Sequence, residues 1–196
     1  MIIMVNLRFD RLRLLKELEK YALFTSKTVM DITGKNKKYS NLIVHRLRKA
    51  GLISRIERDK YTLHDDPLII ASSIVWPSYI SGWSALQYHH LTEQIPRQID
   101  ILTSRARKKR KITFGNSQII FTRIPPACIF GFKKEQYRGF EIFMANKEKA
   151  VADVVVFKKA SKEEVNEIAS KNKQEFDLNL AKRYVKKMVK TLNLKH

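Results

Sequence analysis

The sequence predicts an α+β protein built in two parts. Apolar residues recur at helical spacing near both ends of the 196-residue chain, whereas residues 98–144 are rich in β-branched and aromatic residues typical of strands. The polar segment His64-Asp65-Asp66-Pro67 separates the parts, because proline forces the residue before it out of the α region. We therefore predict one domain at residues 1–66 and a second at residues 67–196.

Two helices are predicted at the start of the first domain. The segment from Phe9 to Tyr21 is typical of an amphipathic helix, since charges separate its leucines. These leucines are Leu12, Leu14, Leu15 and Leu18. Ser26 is a suitable N-cap for a short second helix from Lys27 to Ile32, which Thr33-Gly34 then ends.

A third helix is predicted to end at about Ala50, because Gly51 can enter the left-handed region without a Cβ penalty. At about 100° per residue, its two sides carry different residues. Ile43, Leu47 and Ala50 lie on one side, and Asn41, His45 and Arg48 lie on the other. We expect the first face to pack against the domain and the second to be free to bind a ligand.

A strand hairpin is predicted after the third helix. Leu52, Ile53 and Ile56 precede the polar break Glu57–Lys60, and Tyr61 and Leu63 follow it. The order of helix, short helix, turn, helix and hairpin is that of a winged helix-turn-helix, in which the hairpin is the wing. We predict this fold for residues 1–66.

The second domain is predicted to hold a small antiparallel sheet covered by helices. Helices are predicted at Leu68–Val75 and from Tyr79 to about Leu91, with Ser78 as the N-cap of the latter. Gly82 within the second helix indicates close packing, because glycine disfavours a helix interior. The predicted strands are Gln98–Thr103, Ile112–Phe114, Gln118–Thr122 and a β-rich segment Tyr137–Met144, with Gly115-Asn116 as a turn.

Three further helices are predicted at the C-terminal side. Asn146 caps a helix that reaches Phe157, and Ser161 with Glu164 forms a capping-box pattern that opens a helix to about Ser170. The last helix, Asp177–Leu192, is amphipathic, and seven Lys, Arg and His residues lie between Lys182 and the end. This basic face fits a ligand surface and a solvated face equally well.

The charge of the chain favours a polyanionic partner. Its formal net charge is +20, with 15 Lys and Arg against 8 Asp and Glu before residue 67, and 24 against 11 after it. Cations on this scale favour nucleic acid, because each neutralised phosphate releases counterions. No apolar run approaches the roughly 20 residues that span a membrane, and MIIMVNL is too short for a signal peptide. We therefore expect a cytoplasmic protein that binds double-stranded DNA.

Two sets of residues are candidates for DNA contact. The first set lies on the free face of the third helix and in the hairpin and can span a groove with its flanking phosphates. It comprises Lys37, Lys38, Asn41, His45, Arg48, Arg55 and Arg58. The second set lies in the basic run Arg105–Lys111, with six cations in seven residues, which fits a phosphate-backbone contact. It comprises Arg105, Arg107, Lys108, Lys109 and Arg110. For both sets the alternative is a solvated charged surface.

The sequence gives little support to catalysis. Cys128 is the single cysteine, so it has no intrachain disulfide partner, and a buried small side chain is the expected role. His89, His90 and Glu93 have partial metal-ligand spacing, but no other residue is placed to complete a site. Glu141, Glu148 and Asp153 lack the paired spacing typical of general acid–base catalysis, and no Gly-x-Ser-x-Gly motif occurs in the sequence. We expect neither metal, nor cofactor, nor enzymatic activity.

Residues 77–156 resemble a known family. The segments PSYISGWSALQYHHLTEQIP, QIDILTSRARKK, IIFTRIPPACIFGF and FEIFMANKEKAVADVV together look like the second domain of AbiEi-type antitoxins. The residues that match the family string are Tyr79, Ser81, Trp83, Ser84, Leu86, Leu91, Thr92 and Glu93. We interpret these residues mostly as architectural, with Trp83 and Leu86 in the core and Thr92 or Glu93 bonding the helix end.

The resemblance implies a transcriptional autorepressor and antitoxin of a type IV, or abortive infection, toxin–antitoxin system. In that family the first domain binds DNA at the operator of its own operon, and the second is needed to neutralise a nucleotidyltransferase-like toxin, without a stable complex between the two as the rule. An alternative function from another class is an RNA-binding or RNA-modifying accessory protein that uses the basic run and the sheet.

Overall fold

The computed structural model describes residues 2–172 and 177–193, with side chains from residue 11 onward. It is an α+β structure that divides into two compact units between Asp66 and Pro67. Lys195 and His196, the last two cations of the predicted basic face, lie outside the described residues.

Three helices open the first unit, α1 at Ile2–Glu19, α2 at Ser26–Thr33 and α3 at Lys37–Lys49. Thr25, not Ser26, is the N-cap of α2, so that prediction is wrong by one residue. The Thr25 side chain accepts from the Thr28 backbone, and the Thr28 side chain accepts from the Thr25 backbone. Ser26 has another role, because its backbone N–H and hydroxyl both donate to the Asp59 carboxylate, at 3.0 and 2.7 Å.

A hairpin completes the first unit, with β1 at Ser54–Glu57 paired antiparallel to β2 at Lys60–Thr62. Phe24, between α1 and α2, forms two backbone hydrogen bonds of 2.9 Å with Tyr61 and so adds a third short strand segment to the hairpin. The described core of the unit unites all these elements. It contains Leu14, Leu18, Phe24, Val29, Val44, Leu47 and Ile53.

Leu12 of the amphipathic helix and Ala50, which was predicted to pack against the domain, are both exposed. Leu12 is 62% exposed, because the buried side of α1 follows Leu14 and Leu18. Ala50 is exposed because it is the C-cap of α3, where the chain leaves the helix. The buried stripe of α3 is instead Ser40, Val44 and Leu47, at spacings of four and three.

The second unit contains a six-stranded mixed sheet, and the prediction of a small antiparallel sheet is therefore wrong. The strand order is β5-β6-β4-β3-β8-β7, with β4–β6 and β3–β8 parallel and the other pairs antiparallel. The strands are β3 Ser78–Ser81, β4 Gln98–Thr103, β5 Lys111–Phe114, β6 Ser117–Arg123, β7 Phe132–Tyr137 and β8 Phe140–Ala145.

The predicted helix from Tyr79 to Leu91 is wrong in its first part. Residues Ser78–Ser81 form strand β3 in the middle of the sheet, and α5 spans only Gly82–Tyr88. All four residues of β3 are buried, so the strand lacks the polar–apolar alternation that identifies a half-buried strand. The segment Tyr137–Met144 also differs, because Arg138 and Gly139 turn the chain between β7 and β8.

The helices of the second unit are α4 Pro67–Ser73, α5, α6 Lys147–Val156, α7 Lys162–Lys171 and α8 Leu178–Leu192, with a 3-10 turn at Pro126–Cys128. The predicted Asn146 cap of α6 and the Ser161–Glu164 capping box of α7 are confirmed. Ala181 and Met188 of α8 are buried. Among the helices described, none is both long and apolar enough to cross a bilayer.

Candidate nucleic-acid interface

The outer face of α3 is a polar and basic surface. Asn36 caps the helix by accepting from the backbone N–H of Tyr39 at 3.0 Å, which fixes where α3 begins. The predicted residues on this helix are all exposed, and they are Lys37, Lys38, Asn41, His45 and Arg48. They lie beside the buried stripe, because Asn41, His45 and Arg48 each follow one of its residues by a single position, or about 100° around the helix.

Sequence reasoning missed four exposed residues of α3. Arg46 and Lys49 add cations near its C-terminus, and Tyr39 and Leu42 are large apolar side chains on the surface. The signal was available, because the spacing that places Asn41 and His45 outside also places Lys38, Leu42 and Lys49 there. Exposed aromatic and aliphatic groups among cations suit the sugars and thymine methyl groups of a groove.

The hairpin holds two more predicted cations in the same unit. Arg55 and Arg58 are exposed, and Arg55 Nε donates to the Glu57 carbonyl oxygen at 3.1 Å. Asp59, at the hairpin tip with a positive φ of 55°, binds both donors of Ser26 at the first turn of α2. The hairpin tip is therefore fixed to α2 and not free to swing.

The basic run Arg105–Lys111 joins β4 to β5 in the second unit and is held by specific contacts. The Arg105 backbone N–H donates to Thr103 Oγ1 at 3.1 Å, and its Nε donates to the Trp76 carbonyl oxygen at 3.1 Å. The half-buried Arg107 guanidinium lies 4.1 Å from the centroid of the Phe121 ring, a cation–π geometry. The run is therefore an ordered connection.

The cations of this run remain available to an anion. Among the described side chains, no carboxylate forms an ion pair with Arg105, Lys108, Lys109, Arg110 or Lys111. Five neighbouring like charges without a carboxylate repel one another, and an ordered backbone keeps them close. A bound polyanion would relieve that repulsion.

A buried polar cluster lies elsewhere in the second unit. Lys149 Nζ of α6 contacts a carboxylate oxygen of Asp153 one turn later, and Asp153 also accepts from the Ser81 hydroxyl at 2.6 Å and the Tyr79 hydroxyl at 3.3 Å. Burial lowers the pKa of Lys149 and raises the pKa of Asp153, while their mutual attraction opposes both shifts. Burial also raises the pKa of Tyr79.

This cluster is structural in its geometry. Lys149 is fully buried, with Nζ 3.2 Å from the Met188 sulfur of α8, and Asp153 is almost fully buried. A substrate has no access to groups in this position. The cluster instead ties the central strand β3 to α6 and α8 through hydrogen bonds.

The residues that carry the family resemblance have structural contacts as well. Trp83 Nε1 donates to the Lys159 carbonyl oxygen at 2.9 Å, the Ser84 hydroxyl donates to the Gln98 carbonyl oxygen at 3.0 Å, and Leu86 and Leu91 are buried. The resemblance therefore lies in residues that shape the second unit.

The other candidates for chemistry have simple roles. His89 Nε2 lies 2.7 Å from the Ala145 carbonyl oxygen, and burial lowers the pKa of His89. Within the part of the chain that the structure describes, no three His, Cys, Asp or Glu residues are grouped as a metal site would require. The burial expected for Cys128 is confirmed, and it raises the pKa of the thiol.

In comparisons with known proteins, no family model and no curated protein matches this chain.

Proposed function

We propose that this chain is a sequence-specific DNA-binding transcriptional regulator, with the outer face of α3 as its reading surface. The observation that supports this best is the separation of faces on α3. Ser40, Val44 and Leu47 are buried on one face, whereas Asn41, His45 and Arg48 are exposed on the adjacent face, about 100° further around the helix. An α-helix with such a face fits the major groove of duplex DNA, which is about 12 Å wide.

We further propose that the first unit is a winged helix-turn-helix. The order α1, Phe24 bridge, α2, α3 and hairpin supports this, because the segment between α1 and α2 pairs with β2 as the extra strand of a wing would. In this fold α3 is the recognition helix and the hairpin contacts the backbone beside the groove. The Ser26–Asp59 hydrogen bonds hold the wing in place relative to α2.

The residues then divide between reading bases and holding phosphates. Arg48 can make a bidentate contact with guanine O6 and N7, and Asn41 can do so with adenine N6 and N7. Lys37 and Lys38, near the N-terminus of α3, and the wing residues Arg55 and Arg58 contact phosphates. The basic run of the second unit supplies a further phosphate-binding surface.

The resemblance of residues 77–156 to the second domain of AbiEi-type antitoxins extends this proposal. On its basis the chain is the autorepressor and antitoxin of a type IV toxin–antitoxin system, with a nucleotidyltransferase-like toxin encoded next to it. Co-expression tests this part. We expect the chain to restore growth of cells that express the neighbouring nucleotidyltransferase-like protein, and continued growth arrest at matched expression would contradict antitoxin activity.

Substitution of Arg48 tests the reading surface. An operator is first selected from the DNA upstream of the gene, and binding is then measured on the operator and on a scrambled duplex. We expect Arg48→Ala to weaken operator binding by about 1–3 kcal/mol while binding to the scrambled duplex changes little, because a bidentate base contact is lost. Fluorescence anisotropy at fixed salt measures both affinities.

Arg13→Ala is the matched control, since it removes the same charge from an exposed site on α1. Equal losses on operator and scrambled DNA would show that Arg48 touches only phosphate. If Arg48→Ala weakens binding to single-stranded RNA of equal length, at equal salt, as much as it weakens operator binding, the α3 surface is not specific for duplex DNA, and this result would overturn the DNA proposal in favour of an RNA-binding accessory protein.

A further inference from the structure

Trp76 is an exposed aromatic residue with a rigid support. Trp76 is 56% exposed, yet the centroid of its ring lies 4.4 Å from the centroid of the Phe143 ring. Phe143 lies 6.2 Å from Phe132, which stacks on the buried Tyr79 at 4.9 Å. Trp76 is therefore the outer end of a row of four rings that reaches the interior of the second unit. An isolated exposed tryptophan would lack this support.

Strand register places cations at the same edge of the sheet as Trp76. Strand β3 begins where β4 ends, because Ser78 pairs with Thr103, and β6 ends there too, because Thr103 pairs with Arg123. Trp76 lies two residues before Ser78, and its carbonyl oxygen accepts from Arg105 Nε. Trp76, Arg123 and the start of the basic run thus meet at one edge, which we name the Trp76 edge.

We propose that the Trp76 edge binds single-stranded nucleic acid, with an unpaired base stacked on Trp76 and the adjoining phosphates held by Arg105 and the basic run. The Trp76 ring and the cations of the basic run together favour this ligand. An aromatic platform near several exposed cations matches a chain that alternates an apolar base face with a phosphate. Duplex bases are already stacked on one another and do not offer that face.

The basic run is suited to this role by its order. Its anchoring to Thr103, Trp76 and Phe121 holds the cations in place before a ligand arrives, so that less conformational entropy is lost on binding. Lys108 and Lys109 are exposed and have no carboxylate partner among the described side chains. Their flexible side chains can reach the phosphates of a bound single strand, while the backbone of the run stays fixed.

This inference concerns a second surface and does not depend on duplex recognition by α3. RNA and single-stranded DNA share the chemistry that the Trp76 edge would recognise, since every base has a π-face and every nucleotide a phosphate. The test therefore uses oligo-U and oligo-dT of equal length, which separate the two sources. A hairpin duplex with the same number of phosphates measures what phosphate contacts contribute without an unpaired base, whether they come from the first unit or from the basic run.

Fluorescence of Trp76 reports stacking directly. The chain has two tryptophans, so a full-length Trp83→Phe variant leaves Trp76 as the single fluorophore of that type. We expect single strands to quench its emission, and we expect Trp76→Leu to weaken single-strand binding by about tenfold, as loss of one stacked base would. As a control, an oligonucleotide with an abasic spacer at every position has no base to stack. Its affinity for the unsubstituted chain should equal the affinity of the intact strand for Trp76→Leu.

Salt titration reports the phosphate contacts. We expect Lys108→Ala with Lys109→Ala to make the slope of log K against log salt shallower by about 1.4 for a single strand, or about 0.7 for each lost contact. Lys186→Ala with Lys190→Ala on α8 removes the same charge from another exposed surface of the same unit and should leave the slope unchanged.

Two results would overturn the proposal. The first is equal affinity of the unsubstituted chain for intact and abasic strands, which needs no variant and so holds even if Trp76→Leu fails to fold. The second is equal quenching of Trp76 by the hairpin duplex and by single strands. Trp76→Phe keeps an aromatic ring and should stay within about threefold of the unsubstituted chain, since it can still stack on a base. These outcomes are independent of Arg48→Ala and the operator.

Discussion

Helices α3 and α6 use their polar residues in opposite ways. The cations of α3 are exposed and have few partners within the fold, whereas Lys149 of α6 is fully buried against Asp153. An exposed cation costs the fold little and stays available to a ligand, because water solvates it. A buried cation is costly unless paired, so its partners become part of the structure. The same chemical groups are therefore exposed to solvent in one unit and are part of the architecture in the other.

Substitution of Lys149 tests this contrast most strongly. We expect Lys149→Met to lower the free energy of unfolding by about 3–5 kcal/mol, because it leaves the Asp153 carboxylate buried without its cation. Urea unfolding followed by tryptophan emission measures the second unit, since both tryptophans lie there. Lys186→Met, on the exposed side of α8, should change stability by less than about 0.5 kcal/mol.

A second substitution separates charge burial from lost packing. Asp153→Asn in the Lys149→Met background removes the uncompensated charge but keeps a side chain that can bond Ser81 and Tyr79. We expect it to recover at least about 1 kcal/mol of the loss. No recovery would mean that packing around the Lys149 stem, and not the ion pair, stabilises α6.

Gly82 offers the next largest effect. Its φ is +64°, and an added Cβ would lie 2.3 Å from Asp100 Oδ2. We expect Gly82→Ala to destabilise the second unit by about 2–4 kcal/mol, because backbone strain and overpacking add. Asp100 cannot move freely, since it accepts from Gln98 Nε2 at 2.7 Å and pairs with Lys159.

Gly115→Ala is the matched control in the same unit. Gly115 also has a positive φ, of 54°, but an added Cβ would meet no atom within 4 Å. Only the conformational cost of about 1 kcal/mol should then appear in the same urea experiment. Equal losses for the two glycines would show that the approach of Asp100 to Gly82 is unimportant.

His89 should give the smallest effect, seen as a dependence on pH. Burial lowers the pKa of His89 in the folded state, so the unfolded chain takes up a proton first as the pH falls below about 6.5. The free energy of unfolding should therefore fall from pH 7 to pH 5. His89→Gln should flatten this slope, whereas His90→Asn, at an exposed position with positive φ, should preserve it. Urea midpoints at several pH values measure the slope.

Local signals in the sequence predicted local structure well. Asn146, Ser161 and Glu164 act within one helical turn, and the structure confirms their caps. The boundaries of α3 and the β1–β2 hairpin follow from Gly51 and the polar turn in the same way. Each of these features needs only neighbouring residues, so the sequence pattern contains the whole cause.

Features that depend on distant partners could not be predicted. Strand β3 is buried on both faces, and its neighbours β4 and β8 come later in the chain. Its four residues, Ser-Tyr-Ile-Ser, lack a strand pattern of their own and were mistaken for the start of a helix. The parallel pairs β3–β8 and β4–β6 left no local mark either. At the Trp76 edge, the sequence identified the basic run but not the aromatic row, because Phe143 and Phe132 reach Trp76 only through the folded sheet.

The pairing of Ile80 with Met144 has a consequence for how the chain is made. Strand β3 cannot pair with β8 until the chain through β8 has left the ribosome. The Ser81 and Tyr79 hydroxyls can donate to Asp153 only after that residue has emerged as well. Such long-range closure is slow, whereas the described core of the first unit joins residues between Leu14 and Ile53. During synthesis the first unit therefore folds while β3, in the middle of the second unit's sheet, is still exposed and not yet paired with β8.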